Sequence, residues 1–100
     1  DDPPVRHLVR HSFKGRSEDK TSFYADQWAK TLEANPIEGL EVKGPAAAPL
    51  EKIKGYYRFH LFYLTNNVTR FLKQYQERRK AFPLDHEIQD IIDVDAFQIS

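Results

Sequence analysis

Apolar and polar positions alternate with a period of two at the head of the chain, Val5, His7, Val9, His11 and Phe13 against Arg6, Leu8, Arg10 and Ser12. That is the pattern of a half-buried strand, and it predicts β1 over Val5 to Phe13. Gly15 and Ser17 then break it. Ser17 is a suitable N-cap, with Glu18 and Asp19 following in a first turn where the helix dipole favours acidic side chains. Thr21, Tyr24, Ala25, Trp28 and Leu32 recur at helical spacing, so α1 is expected to run on from Ser17 and stop before Asn35-Pro36, with Trp28 in the core.

The second half repeats the scheme. Ile37 to Val42, interrupted by Gly39, predicts a short β2 through Leu40 and Val42, after which the chain wanders along the run Pro45 to Pro49. Beyond Gly55, the stretch Tyr56 to Leu64 predicts β3, with Tyr57, Phe59, Leu61 and Tyr63 on one side and Tyr56, Arg58, His60 and Phe62 on the other. Asn66-Asn67 offers a cap for α2, where Val68, Phe71, Leu72, Tyr75 and Phe82 oppose Arg70, Lys73, Gln74 and Glu77 until Pro83 ends the helix. Ile88 to Phe97 predicts β4, Ile88, Ile92 and Val94 inward and Gln89, Ile91, Asp93 and Asp95 outward. The result is an α+β domain in the split β-α-β-β-α-β arrangement. Its antiparallel four-stranded sheet carries two helices on one face, with β1 and β3 central and β4 beside β1. The other face is left for water or for a ligand.

One hundred residues make one domain, able to bury roughly 60 to 70% of its unfolded surface around a single core. No apolar run approaches bilayer length and no charged-then-apolar leader opens the chain, so neither a membrane segment nor a secretory signal is expected. Cysteine is absent, which excludes disulfides and thiolate metal sites and makes the cytoplasm the expected compartment. The first residue is not Met, which leads to the expectation of a piece excised from a longer protein. Net charge is zero but unevenly spread: residues 1–42 carry six Lys/Arg and eight Asp/Glu, residues 43–80 nine and two, and residues 81–100 none and five. A basic middle of this kind points to an anionic partner, nucleic acid first, unless it is neutralised by the acidic tail across neighbouring elements.

On the open face, Arg6 and Arg10 would line up with Tyr56, Arg58, His60 and Phe62. Charges for phosphates among rings for bases suit a single strand, each stacked base contributing about 1 to 3 kcal/mol. The same side chains would equally cover the sheet against another domain. Lys52 and Lys54 ahead of β3, with Arg70 and Lys73 on α2, add candidates for sequence-independent phosphate contact. Arg78, Arg79 and Lys80 read instead as a solvated helix face. His7 and His11 have zinc spacing for a helix but lie about 13 Å apart on a strand. Asp93 and Asp95 share a strand face, where pairing with Arg6 and Arg10 explains them more simply than a metal does. Asn67-Val68-Thr69 matches a glycosylation sequon, better read as a helix cap. Acylphosphatases use the same element order, yet their glycine-framed anion loop is missing near β1. No nucleophile and base can be placed together either, so neither catalysis nor a cofactor is expected in this domain.

The run Ala48-Pro49-Leu50-Glu51-Lys52-Ile53-Lys54-Gly55-Tyr56-Tyr57-Arg58 resembles the signature near the C-terminus of the PriA family of primosomal replication-restart helicases. Pro3-Pro4-Val5 and Ile92-Asp93-Val94-Asp95 are similar to that family's flanking landmarks. Val5 stands where phenylalanine is usual and Ala96 where proline is. The resemblance spans nearly the whole chain, and Lys52, Lys54, Gly55 and Arg58 match its central motif. It implies a C-terminal domain that helps to hold branched DNA and is similar in fold to a small-subunit ribosomal protein. It also implies a parent that recognises abandoned forks, unwinds DNA with ATP, carries a zinc region, and loads the replicative helicase with single-strand-binding protein and primosome proteins. The expected partners are therefore single-stranded or forked DNA, those proteins, and the helicase domains of the parent chain. A protein-interaction domain docking the acidic tail of single-strand-binding protein or the motor itself is the main rival. A ligand-binding regulatory module is the third reading.

Overall fold

The alternation at the head of the chain does become a strand. A computed structural model describes residues 6–95. It places β1 at His7–Gly15, α1 at Glu18–Ala34, β2 at Glu41–Ile53, β3 at Tyr56–Thr65, α2 at Val68–Ala81 and β4 at Gln89–Val94. Val5, where β1 was expected to begin, and Ala96 and Phe97, toward which β4 was expected to run, lie outside the described residues. The strands pair antiparallel in the order β2-β3-β1-β4, so β1 and β3 are central and β4 borders β1, as expected. Both helices begin at the predicted caps, Ser17 Oγ accepting from the Lys20 amide at 3.1 Å and Asn67 Oδ1 from the Arg70 amide at 3.0 Å.

The core lies between the helices and one face of the sheet. Val9, His11 and Phe13 of β1, Leu61 and Tyr63 of β3, Ala25, Trp28 and Leu32 of α1, and Phe71 of α2 are all buried there. Trp28 stands edge-on to His11, Tyr75 and Phe82, with ring centroids 5.3 to 5.7 Å apart. Each fully buried large apolar side chain contributes roughly 1.5 to 3 kcal/mol, and here they sew both helices to the two central strands. Gly15 is part of β1 rather than a break after it. A Cβ at Gly15 would meet Thr21 Oγ1 at 2.5 Å and Ile88 Cδ1 at 2.6 Å, so the strand end can tuck against α1 and the turn before β4 because nothing projects there.

A polar chain runs through this core. Trp28 Nε1–H donates to the Tyr63 hydroxyl at 2.7 Å, which lies 2.8 Å from His11 Nδ1, while His11 Nε2 lies 2.8 Å from Asp90 Oδ2. Arg79 donates to both Asp90 oxygens at 2.8 and 3.0 Å, and the Tyr75 hydroxyl adds a longer bond at 3.4 Å. A neutral His11 satisfies every member: Tyr63 O–H donates to Nδ1, and Nε2–H donates to the carboxylate. A protonated ring would force Tyr63 to accept twice and strand its own O–H in the core. Burial likewise pushes the His11 pKa below its ordinary value, and pushes the two tyrosines above theirs. For Asp90, burial alone acts upward, but hydrogen bonds from His11 and Arg79 outweigh it and hold the carboxyl below the usual range. Asp90 points to the core side of β4 between Ile88 and Ile92, a position left out of the predicted inward set.

β2 departs from expectation. It does not end near Val42 but continues through the Pro/Ala run for 13 residues. Its ladder with β3 slips between Lys43 and Ala46 and again between Ala47 and Lys52. Pro45 and Pro49 have no N–H to donate, so the strand absorbs them as bulges rather than as regular rungs. At Gly44, φ is +94°, and a Cβ would lie 2.8 Å from the His60 carbonyl oxygen. Lys54 and Gly55, both with positive φ, form the two-residue connection from Ile53 to its partner Tyr56.

Candidate nucleic-acid interface

Paired residues point to the same side of a sheet, so the ladders set the side chains of the face away from the helices in rows. One row runs Lys43, Phe62, Arg10, Asp93, the next Ala46, His60, Ser12, Ile91, and the next Arg58, Lys14, Gln89. Rings and cations from mid-chain do share this face with β1, but its two ends differ in charge.

At the far end every cation has a carboxylate within ion-pair distance, three cations sharing two carboxylates. Arg6 pairs with Glu41, which also lies 3.4 Å from Lys43 Nζ, and Arg10 Nη2 lies 3.3 Å from Asp93 Oδ2. Hydrogen bonds from Arg6 and then Lys43 hold the Glu41 carboxyl below its ordinary pKa. The expected pairing of Asp93 and Asp95 with Arg10 and Arg6 holds for Arg10 and Asp93 alone. β2 enters the sheet with Glu41 opposite Leu64, close enough to take Arg6, and Asp95 pairs with His7 at 3.0 Å.

His60, in the middle of the face, was expected to offer its ring, but it is 3% exposed. The bulged β2 curls over it, Gly44, Ala46, Ala47 and Pro49 forming a wall around a hollow of about 300 Å³ with Phe62. The His60 ring nitrogen Nδ1 is 2.9 Å from Ser12 Oγ. A ring enclosed in this way is not available to stack on a base.

The hairpin end is where charge stays open. Lys14 Nζ and Arg16 Cζ lie 4.6 and 4.4 Å from the centroid of the Tyr56 ring. Among the described residues, no carboxylate lies within ion-pair distance of either cation. Arg58 sits across the ladder from Lys14 and donates to the Leu50 carbonyl at 2.7 Å. Lys54 is exposed at the hairpin tip, and Lys52 lies over the Tyr57 ring at 5.2 Å, on the side of the hairpin that faces the helices. Beside Tyr56 opens a cleft of about 470 Å³ whose walls include Lys14, Arg16, Ser17, Glu87 and Gln89. Tyr56 therefore acts first as a platform for two cations, each such contact contributing about 0.5 to 1 kcal/mol at an exposed site.

Lys14 and Arg16 were missed in the sequence because they lie beyond the alternating stretch. The signal was present in their spacing: Lys14 continues the open-face series Arg6, Leu8, Arg10, Ser12. Arg70 and Lys73 belong elsewhere. They ride on α2, which packs through Phe71, Leu72 and Tyr75 on the opposite side of the sheet, so they do not extend the hairpin-end cluster. The solvated-face expectation holds for exposed Lys80 but not for its neighbours. Arg78 closes the C-terminus of α1 by donating to the Asn35 and Pro36 carbonyls at 2.8 and 2.9 Å, and Arg79 holds Asp90. Among the described residues there is no group of three or more side chains that could hold a metal ion, and no helix is long and apolar enough to cross a membrane.

The family model of the primosomal protein N C-terminal domain matches residues 2–96. The chain belongs to this family. It is similar to the replication restart protein PriA of Thermotoga maritima, 26% identical over 83 residues, which is 83% of this chain and 11% of that protein's length. In fold it is similar to the de novo designed protein Foldit4, at a TM-score of 0.66 and 12% identity, covering 94% of this chain and all of that one. Within this primosomal C-terminal domain, the four residues matching the central motif, Lys52, Lys54, Gly55 and Arg58, all fall on the hairpin: at the end of β2, in its two-residue connection and near the start of β3.

Proposed function

We propose that this domain is a DNA-binding accessory module of a replication-restart helicase and that it holds single-stranded or forked DNA by the hairpin end of its open sheet face. The observation that carries this reading is the pair Lys14 and Arg16 on the Tyr56 ring, held in place by the fold with no carboxylate within ion-pair distance among the described residues, and with exposed Lys54 at the neighbouring hairpin tip. Such a surface favours backbone phosphates over base edges, giving weak affinity that is indifferent to sequence and steeply dependent on salt. The domain itself performs no chemistry in this reading. ATP hydrolysis, the zinc region and unwinding belong to the rest of the parent chain, and primosome proteins act alongside it in the cytoplasm. A fluorescence anisotropy titration with labelled single strands and forks tests it. Micromolar binding at low salt that collapses by 200 mM is expected, and no binding, or binding indifferent to salt, would end it.

Arg70 and Lys73 favour a second reading for the other side of the molecule. Set on α2 away from the hairpin, they suit an acidic peptide such as the tail of single-strand-binding protein, or an acidic surface of the motor. Charge reversal at both positions separates the two: loss of peptide binding with DNA affinity intact supports the docking role.

A further inference from the structure

We infer that the cleft beside the hairpin is a subsite for one nucleotide, its phosphate held by Lys14 and Arg16 and its base turned toward Gln89 and Glu87. The inference rests on the DNA-binding reading above and gives it a specific place. Three observations meet there.

Charge comes first. Lys14 and Arg16 both lie against Tyr56, and neither has a carboxylate partner among the described residues. Holding both cations on one ring reduces the side-chain freedom lost when a phosphate binds. Room comes second. The cleft offers about 470 Å³, whereas a phosphate displaces only a few waters at about 30 Å³ each. The space fits a larger ligand, within the usual range for small-molecule sites. The third observation is the chemistry of the far wall. Gln89 supplies both a donor and an acceptor, and the Glu87 carboxylate, anchored by Lys20 Nζ at 2.8 Å, accepts hydrogen bonds. A carboxylate is out of place around a phosphate alone, but it suits the exocyclic amine of cytosine or adenine.

The walls are built rather than incidental. The bare Cα of Gly15 lets the end of β1 close against Thr21 and Ile88, which brings Lys14 and Arg16 alongside Glu87 in the turn and Gln89 at the start of β4. Gly55, at φ +83°, leaves a gap that Arg16 fills, since a Cβ there would lie 3.2 Å from Arg16 Nη1.

Amide chemical shifts of the isotope-labelled chain, titrated separately with dCMP, deoxycytidine and inorganic phosphate, test the assignment, with a labelled single strand titrated in parallel. Saturable shifts confined to residues 14–17, Tyr56 and 87–89 are expected for dCMP, at least five-fold tighter than for either fragment. Arg16→Gln should weaken dCMP about ten-fold while its spectrum stays that of a folded chain. Phosphate binding as tightly as dCMP, or shifts centred elsewhere, would overturn the subsite. Oligonucleotide binding without saturable dCMP binding would overturn it and leave the DNA reading standing, whereas failure of the oligonucleotide itself would remove both.

Discussion

The helix side of the sheet and the hairpin end of its open face use the same kinds of side chain to opposite ends. Around Asp90, an arginine, a histidine, two tyrosines and a tryptophan are joined by hydrogen bonds into one group, with Arg79 Nη1 turned out to the Phe82 carbonyl. Around Tyr56, a lysine and an arginine rest on a ring with no anion within ion-pair reach among the described residues. Polar groups that serve the fold must be saturated, because an unmet partner in a low-dielectric interior costs about 1 to 3 kcal/mol and an unpaired charge more. Polar groups that serve a ligand must be left unsaturated until it arrives.

The most forceful way to break this contrast is to unsettle the saturated region. Asp90→Asn leaves Arg79 facing a neutral amide, and the expected cost is about 3 kcal/mol, a fall in Tm of about 15 °C by circular dichroism. DNA affinity measured on the folded variant at low temperature should stay within about two-fold; a parallel loss would mean that the two regions are not separable. Lys14→Glu with Arg16→Glu makes the converse test. Affinity for a single strand should drop about 100-fold, or about 2.7 kcal/mol, with Tm nearly unchanged in the same melting experiment.

Acid probes the first region without mutation. Because folding lowers the His11 pKa, the unfolded chain takes up a proton that the folded chain refuses. Stability should therefore be full above about pH 6.5 and decline below it, by at most about 1.4 kcal/mol per pH unit from this group. The Asp90 carboxyl, lowered in the fold, adds a further loss as pH falls below about 3.8 toward its folded value. Urea melts at pH 7 and pH 5.5, on the parent and on His11→Asn, would expose the first term as a pH dependence that the variant lacks. The smallest effect sharpens the comparison within the open face itself. Glu41→Gln with Asp93→Asn removes the two carboxylates that offset Arg6, Lys43 and Arg10, and anisotropy should then register an affinity gain of about three-fold, or about 0.7 kcal/mol.

Much of the fold was legible because local signals and tertiary needs agree. Ser17 and Asn67 cap their helices where the pattern put them, and the inward series Val9, His11, Phe13 and Leu61, Tyr63 is buried. Legibility ended where a residue's role depends on a strand distant in sequence. The Pro/Ala run gave no strand period because its bulges break the alternation, yet a partner strand holds it in the sheet. Asp90 is polar at an inward position, and what compensates it comes from β1 and α2. The open-face candidates divided for the same reason. The ladder shows Lys14 beside Arg58, but neither sequence neighbourhood announces the other, and Arg6 carries nothing in its surroundings to mark Glu41, 35 positions away, as its partner.

The interrupted pairing along β2 has a bearing on how the molecule behaves when crowded. A domain that keeps one side of its sheet bare also risks offering the rim of that sheet to a second copy, strand against strand. Two prolines without donors and two slips of register leave that rim too uneven to serve as a template. The same irregularity that disguised β2 in the sequence thus guards this edge of the sheet against pairing with a second copy.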